Sequence, residues 1–300
     1  MRNPWKTKKL RYIIAALLLF VIAGGIFLLR SPVLIVTDPS FNRIYGPQRL
    51  RNRAVFVSLE LFRRVRTVPV AENAASDLIT IALEGVSGSP HAVLFPYRYF
   101  QAALLYREKY PQTQVLVMGG KNPPPESFPQ EGVTYVRTDL AADLYRAGLS
   151  AAVLAGETAG ALFFSDGILQ EQYREAFRQG LRAQDFLTDP VFLASHIDHV
   201  NYSDIGSVVV AGPAVNFLER ELDIPVILFS WIDPALTPRS VKIIFDDSPL
   251  ALAARALEVF PPPSGEILVA SRPEVLSGRL ERRRDIRKLQ RFIKEKPEKS

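Results

Sequence analysis

The 300-residue chain contains no cysteine. This absence excludes disulfide bonds, thiolate metal sites, a cysteine nucleophile and a lipid-bearing cysteine anchor. Histidine is also scarce, with three residues in the chain. His196 and His199 flank Asp198, but no third histidine lies nearby in the sequence, so a solvated loop is favoured over a metal site. We therefore expect neither a bound metal nor a cofactor.

Residue patterns typical of catalysis are missing as well. The glycines and serines at 85–89 do not have the spacing of a nucleophile elbow, and no strand directly precedes them. Gly119, Gly120 and Lys121 lack the upstream glycine and the following hydroxyl residue of a phosphate-binding loop. The sequence therefore predicts a binding or structural protein rather than an enzyme.

Positive charge is concentrated at the two ends of the chain. The formal net charge is +6, with +5 in residues 1–11 and +6 in residues 279–300, which leaves −5 for the part between them. Because nucleic-acid binding requires a basic surface, this mildly acidic body predicts no nucleic-acid partner.

A long apolar run follows the basic N-terminus. Residues 12–29 are 18 residues without a charge, and as a helix they would span about 27 Å, close to the hydrocarbon thickness of a bilayer. The preceding basic residues favour a cytoplasmic N-terminus. We predict that residues 1–30 form a basic stub and an uncleaved single-pass anchor in the cell membrane, with the remaining chain on the extracytoplasmic side. A cleaved signal segment is the alternative.

From residue 31 onward, short apolar strands alternate with longer helices. This alternation predicts an α/β fold with parallel sheets that are covered on both faces. The chain contains enough elements for two lobes. Residues 31–138 plus about 242–262 are assigned to the first lobe, and residues 139–241 plus about 263–276 to the second.

The last segment, 277–300, is predicted to be a basic C-terminal helix or tail. Its partial apolar stripe admits two interpretations. The first is a solvated helix with a frayed end, and the second is an amphipathic helix that lies on anionic lipid.

The first strand ends in the segment Asp38-Pro39-Ser40-Phe41-Asn42. An aromatic ring beside hydrogen-bonding groups suits a flat heterocycle or a sugar, and open α/β sheets bind ligands beyond the carboxyl ends of their strands. The alternative is that Asp38 forms an Asx-type turn with its neighbours, while Phe41 packs under the first helix.

This motif and three later segments resemble the type I periplasmic solute-binding proteins, and more narrowly the basic membrane protein family, which includes purine nucleoside receptors. The family's Asp-x-Ser-Phe-Asn motif is matched by residues 38–42, and its other motifs are matched by REKYPQTQVLVMGG, LYRAGLSAAVLAG and YREAFRQGL. The resemblance covers most of residues 33–260. It implies a two-lobed type I periplasmic-binding-protein-like fold that clamps a small polar or aromatic solute, nucleoside-like in the closest case.

The resemblance also implies an ABC transporter permease or a sensor as partner. Strand ends and the resemblance together predict ten ligand contacts: Asp38, Ser40, Phe41, Asn42, Tyr97, Asp139, Ser165, Asp166, Trp231 and Asp233. For Asp139, Ser165 and Asp166, a hinge or helix-capping role explains the residue equally well. For Trp231, a place in the lobe core or at the hinge does so.

The chain departs from the family where a nucleoside would be recognised. Gly119 and Gly120 stand where the family commonly has an acidic residue after the fourth strand, and the segment 229–233 replaces the family's Gly-Val-Asp-x-Asp turn. The motifs therefore predict where a pocket lies and leave its ligand open. A degenerate binding-protein domain that serves as an envelope scaffold or partner subunit is the alternative function.

Overall fold

The structure is a computed structural model of the chain. It describes residues 32–46, 64–86, 89–126, 128, 132–156, 160–165, 169–186, 188–194, 202–211, 223–230, 234–257 and 264–292.

The structure corrects the predicted localisation in the cell membrane. Within the described ranges, no helix combines the length and the apolar character needed to cross a bilayer. The apolar run at 12–29, on which the single-pass anchor was based, lies outside the described residues.

The first sheet contains six strands that all run parallel, in the order β11-β5-β4-β3-β1-β2. Its central strands are continuous apolar runs that are buried throughout, as expected for strands covered on both faces. The strands are β1 (Val33–Thr37), β2 (Val65–Pro69), β3 (Ala92–Pro96), β4 (Gln114–Gly120), β5 (Val133–Thr138) and β11 (Gly265–Val269).

The second sheet also contains six strands, in the order β12-β10-β9-β8-β6-β7. Five of them are parallel, and β12 runs antiparallel to β10 at one edge. The strands are β6 (Gly160–Ser165), β7 (Val191–Ala194), β8 (Ile205–Ala211), β9 (Val226–Phe229), β10 (Val241–Asp246) and β12 (Arg272–Val275).

Each sheet has an apolar cluster on both of its faces, which gives four hydrophobic clusters in the described part of the chain. On the first sheet, α2 and α3 cover one face, while α6 and Phe41 of α1 cover the other. On the second sheet, α4, α5 and α7 share one cluster. The described helices are α1 (Pro39–Tyr45), α2 (Ser76–Glu84), α3 (Phe100–Lys109), α4 (Leu140–Ala155), α5 (Glu171–Arg182), α6 (Pro249–Ala256) and α7 (Arg283–Phe292).

Three segments carry the chain between the two lobes. The first crossing (138–140) joins β5 to α4, the second (246–249) joins β10 to α6, and the third (269–272) joins β11 to β12. The first and third crossings lie side by side in the first sheet, because Thr138 pairs with Val269. The second and third lie side by side in the second sheet, because Asp246 pairs with Arg272.

The sheet order differs from the lobe boundaries predicted for the last part of the chain. Strand β10 lies in the second sheet and β11 in the first, whereas residues 242–262 were assigned to the first lobe and 263–276 to the second. Helix α6 does pack on the first lobe. The difference has a simple cause, since an apolar strand pattern shows that a strand is buried but does not show which sheet it joins.

The basic C-terminal segment includes a docked helix. Leu289 and Phe292 of α7 are buried, and Leu289 belongs to the cluster that α4 and α5 form on the second sheet. Two residues of the apolar stripe that suggested a lipid-facing helix, Leu289 and Phe292, are therefore buried within the protein.

Candidate functional site

The candidate site lies at the carboxyl ends of the parallel strands, where the three crossings are also found. In the first lobe this edge is formed by the residues that follow β1, β2, β3 and β4. Side chains of neighbouring parallel strands meet at such an edge, which is where open α/β folds hold their ligands.

Asp38 is a fully buried carboxylate at the end of β1. Its Oδ1 accepts a hydrogen bond of 2.7 Å from the backbone N–H of Phe41, which caps the N-terminus of α1. Its Oδ2 accepts a bond of 2.7 Å from the hydroxyl of Tyr99, and the guanidinium of Arg98 lies 3.4 Å from the same oxygen. Both oxygens are thus bonded within the protein, and a solute contact at Asp38 stays a prediction.

Phe41 packs into the apolar cluster under α6, and its side chain is 6% exposed. Its ring lies 5.2 Å from that of Tyr45, one helical turn later. Asn42 is half-buried on the same short helix. This arrangement corresponds to the packing alternative for the motif, while contact between Phe41 or Asn42 and a solute stays a prediction.

Two accessible polar groups of this edge are Arg98 and Glu72. Their side chains are 43% and 47% exposed, and Arg98 Nη1 lies 3.8 Å from Glu72 Oε1. Ser40 is tied to the same group, because its hydroxyl donates a hydrogen bond to Glu72. Sequence reasoning missed Arg98 and Glu72, although Arg98 directly follows the selected residue Tyr97 and Glu72 lies three residues after the end of β2.

Tyr97 is the aromatic residue that this edge presents to solvent, with an exposed fraction of 38%. It directly follows β3, and its ring meets the edge of Tyr135 at a centroid distance of 6.4 Å. The sequence predicted this residue as a contact, and the residue is accessible to solvent.

Tyr135 also gives a packing reason for Gly119. A Cβ atom at Gly119 would lie 2.3 Å from the Tyr135 ring, so no larger residue fits without a shift. The hydroxyl of Tyr135 donates to the carbonyl oxygens of Asn122 and Pro123, at 3.3 and 3.2 Å. The Tyr135 ring therefore occupies the space that a side chain at Gly119 would need, and its hydroxyl anchors the following loop.

A second polar group lies at the second crossing. Lys121 Nζ is 2.5 Å from Oδ2 of the nearly buried Asp247. The pKa of Tyr45 is raised to about 12, first by burial and then by the negative charges of Asp247 and Asp246. Neither Lys121 nor Asp247 was predicted as a site residue, because their proximity depends on a contact between distant parts of the chain.

The second lobe contributes fewer described candidates. Asp139 caps α4, since its Oδ1 accepts a bond of 3.1 Å from the N–H of Ala142. Ser165 is buried at the end of β6. The predicted contacts Asp166, Trp231 and Asp233 lie outside the described residues, as do His196, Asp198 and His199. In the part of the chain that is described, no three potential metal ligands come together.

A surface depression of about 130 Å³ lies elsewhere, along α5 and the segment before β7. It is lined partly by Arg178 and Arg182, but these cations already pair with Glu171 and Glu175, at 2.6 and 3.2 Å. Because its charges are neutralised and it lies away from the strand ends, we do not assign the functional site to it.

No protein-family model and no curated protein sequence matches the chain. Several solved structures are similar in fold. A transcriptional activator of the comK gene from Bacillus halodurans superposes with a TM-score of 0.59 at 14% identity, covering 89% of this chain and 99% of that chain. An ABC transporter solute-binding protein from Conexibacter woesei superposes with a TM-score of 0.52 at 11% identity, covering 80% of this chain and 85% of that chain.

A third similar structure is an ABC transporter periplasmic solute-binding protein from Actinobacillus succinogenes with bound D-allose. It gives a TM-score of 0.50 at 13% identity and covers 83% of this chain and 99% of that chain. The likeness confirms the type I periplasmic-binding-protein-like fold. At these identities it carries the fold alone, and the narrower resemblance to the basic membrane protein family stays a prediction.

Proposed function

We propose that the protein is a solute-binding protein that holds a small polar or aromatic solute between its two lobes. The observation that carries this proposal is the group of accessible side chains at the carboxyl edge of the first sheet, beside the crossings that join the lobes. Similar structures that are named as ABC solute-binding proteins support the same conclusion. An ABC-type transporter or a sensor is the partner that we propose.

In the first lobe, we propose that Tyr97 stacks on the solute while Arg98 and Glu72 form hydrogen bonds to it. A ring face beside a donor and an acceptor suits a heterocycle that carries hydroxyl groups, and a nucleoside-like solute is the class we propose. In the second lobe, the sequence-based contacts Ser165, Asp166, Trp231 and Asp233 remain part of the proposal.

Lobe closure would follow from contacts that the solute makes to both lobes at once. A ligand shifts a conformational equilibrium only by the difference between its affinities for the two states. A solute held by Tyr97 on one side and by second-lobe residues on the other has this difference, since the open state offers it only one of the two sets of contacts.

A scaffold without a solute is the second candidate function. It is favoured by Asp38 and Phe41, the centre of the strand-end motif, because the carboxylate is bonded within the protein and the ring is packed in the core. A binding-protein fold also supports unrelated roles, and one of the similar structures is named as a transcriptional activator.

A thermal-shift screen of the whole chain tests the proposal. The panel contains nucleosides, nucleobases, sugars including D-allose, and amino acids. A true solute at about 100 times its Kd adds about 2.7 kcal/mol to the free energy of unfolding, which raises the melting midpoint. If no compound raises the midpoint, the solute-binding proposal fails and the scaffold function is preferred.

Two variants then locate the site. Tyr97→Ala and Arg98→Ala are expected to abolish the ligand-induced shift, because both side chains lie at the proposed edge. Leu105→Ala is the matched control, since Leu105 is similarly exposed but lies on α3. A shift that survives both edge substitutions would place the solute elsewhere.

A further inference from the structure

Two consecutive residues of the third crossing form hydrogen bonds to different lobes. Ala270 and Ser271 link β11 of the first sheet to β12 of the second. The contacts of these two residues come from different lobes, so they show where the chain is able to bend when the lobes move.

The second lobe holds Ser271 through a buried ion pair on α4, which we call the Ser271 clamp and define as Asp143 and Arg146. The N–H of Ser271 donates to Asp143 Oδ1 and Oδ2, at 2.9 and 3.0 Å, and its hydroxyl donates to Oδ2. Arg146 Nη2 donates to the carbonyl oxygen of Ser271 at 2.8 Å and also to Asp143. Both backbone groups of one residue are therefore bound by one helix.

The clamp is isolated from solvent. Asp143 and Ser271 are fully buried, and the guanidinium of Arg146 lies 5.8 Å from the ring centroid of Phe245 in β10. Burial raises the pKa of Asp143, and the charge of Arg146 and the bonds from Ser271 oppose this effect. Because bonds between buried charged groups are strong, Ser271 is expected to move with α4 as a unit.

The first lobe holds the residues just before Ser271. Arg255 of α6 donates a hydrogen bond to the carbonyl oxygen of Ala270. Val269 pairs with Thr138 of β5, and its carbonyl oxygen accepts a bond of 3.0 Å from the N–H of Asp139. The chain is thus fixed to the first lobe up to Ala270 and to the second lobe from Ser271.

We propose that the Ser271 clamp and Arg255 together confine lobe rotation at the third crossing to the single link between Ala270 and Ser271. Asp143, Arg146 and Arg255 are positioning residues in this view, and they touch no solute. Loosening either grip lengthens the mobile part of the crossing and allows the lobes a wider range of orientations.

Pulsed electron spin resonance tests this proposal in the whole chain. The chain has no cysteine, so spin labels can be placed at Glu108→Cys on α3 and Gln172→Cys on α5, both exposed positions in different lobes. The double variant Asp143→Leu with Arg146→Met replaces the clamp with apolar residues. It leaves the buried N–H, hydroxyl and carbonyl groups of Ser271 without these partners, so its melting midpoint should fall. A cooperative thermal transition shows that the variant is folded, and we expect it to show a broader distribution of distances between the labels.

The matched control is Glu175→Leu with Arg178→Met on α5. This pair has the same spacing along its helix and lies 3.6 Å apart, but it is partly exposed and away from the crossings. It should leave the distance distribution unchanged. Equal distributions for the unsubstituted protein and a folded clamp variant would overturn the proposal.

Arg255→Met provides a second route if the clamp variant fails to fold. It releases the first-lobe grip on Ala270 while leaving the buried pair intact. A broader distance distribution supports the proposal, and an unchanged one overturns it. No solute is needed for these measurements, so their failure would leave the proposal of solute binding untouched.

Discussion

Asp38 shows how one side chain organises the edge of the first sheet. Its carboxylate caps α1 through the N–H of Phe41 and receives the hydroxyl of Tyr99. A buried acceptor that loses its partners is destabilising, and so is a buried donor that loses its acceptor. The network therefore holds β1, α1 and the turn after β3 together, and it directs Arg98 and Tyr97 outward at the same edge.

Truncation of Phe41 and truncation of Tyr97 are expected to lower the free energy of unfolding by different amounts. Phe41→Ala removes a core ring and should lower the free energy of unfolding by about 3–5 kcal/mol. Tyr97→Ala removes a partly exposed ring and should lower it by about 1 kcal/mol or less. Urea unfolding followed by circular dichroism measures both. Similar losses for the two variants would mean that Phe41 is not a core residue.

Tyr99 is expected to make the free energy of unfolding depend on pH in the alkaline range. Burial first, and then the hydrogen bond to Asp38, raise its pKa from 10.0 to about 12. Between these values the unfolded chain loses the Tyr99 proton while the folded protein retains it, so stability falls as pH rises through this window. The advantage of the unsubstituted protein over Tyr99→Phe should therefore shrink between pH 9 and pH 12.

Urea midpoints of both proteins across this range measure the effect. The comparison with Tyr99→Phe is needed because Tyr45 and Tyr106 also have pKa values raised to about 12. A constant difference between the two proteins would contradict the assignment to Tyr99.

At the scale of elements, the packing of α4 on α5 depends on two glycines. A Cβ atom at Gly148 would lie 2.3 Å from the carbonyl oxygen of Phe177, and one at Gly180 would lie 2.0 Å from that of Tyr145. The helix backbones approach too closely for any side chain at these positions. This close approach brings α4, which carries the Ser271 clamp, against the rest of the second lobe.

Gly180→Ala is therefore expected to destabilise the protein. Alanine favours a helix by about 1 kcal/mol over glycine, but the clash forces the helices apart and should outweigh this gain, with a net loss of about 1–3 kcal/mol. Gly85→Ala is the matched control at the end of α2, where the nearest atom would be 3.5 Å away. The control should be neutral or slightly stabilising in the same urea titration. A neutral Gly180→Ala would mean that the helices separate easily.

At the scale of the whole molecule, neither lobe is a continuous piece of chain. The first sheet needs β11, which follows ten strands of both sheets, and one of its faces is covered by α6. Leu250, Leu252 and Ala253 of α6 are fully buried against strands of the first half. Each lobe is therefore built from chain segments that are separated in sequence by segments of the other lobe, and this order requires the three crossings.

A fragment of residues 32–138 is expected not to fold alone, because it exposes the face that α6 covers. The same fragment joined by a short Gly-Ser linker to residues 248–270 should unfold cooperatively. A short linker is sufficient, because Gly120 pairs with Arg137 beside the start of the linker, and a Cβ at Gly120 would lie 3.0 Å from the Pro249 ring. Circular dichroism in urea distinguishes the two fragments, and cooperative unfolding of the shorter one would contradict the role of α6.

Much of the local structure could be predicted from residue patterns. The apolar runs at 92–96 and 114–120 form β3 and β4, and the amphipathic segment 169–184 contains α5, as the predicted alternation of strands and helices requires. These predictions succeed because burial on both sheet faces and helical amphipathicity leave periodic signals in neighbouring residues. Strand β12 has no such signal, since it is a short edge strand that includes Pro273.

The sequence by itself determined the alternation of strands and helices, the place of the strand-end motif and the capping role open to Asp139. Each of these depends on residues a few positions apart, and local chemistry is sufficient for them. Only the tertiary structure decided that β10 joins the second sheet and β11 the first, and that Phe41 is buried and Tyr97 exposed. It also decided that Asp143 accepts hydrogen bonds from Ser271, 128 residues away in the sequence. Those contacts form only when distant segments pack together, and no local pattern encodes the partner.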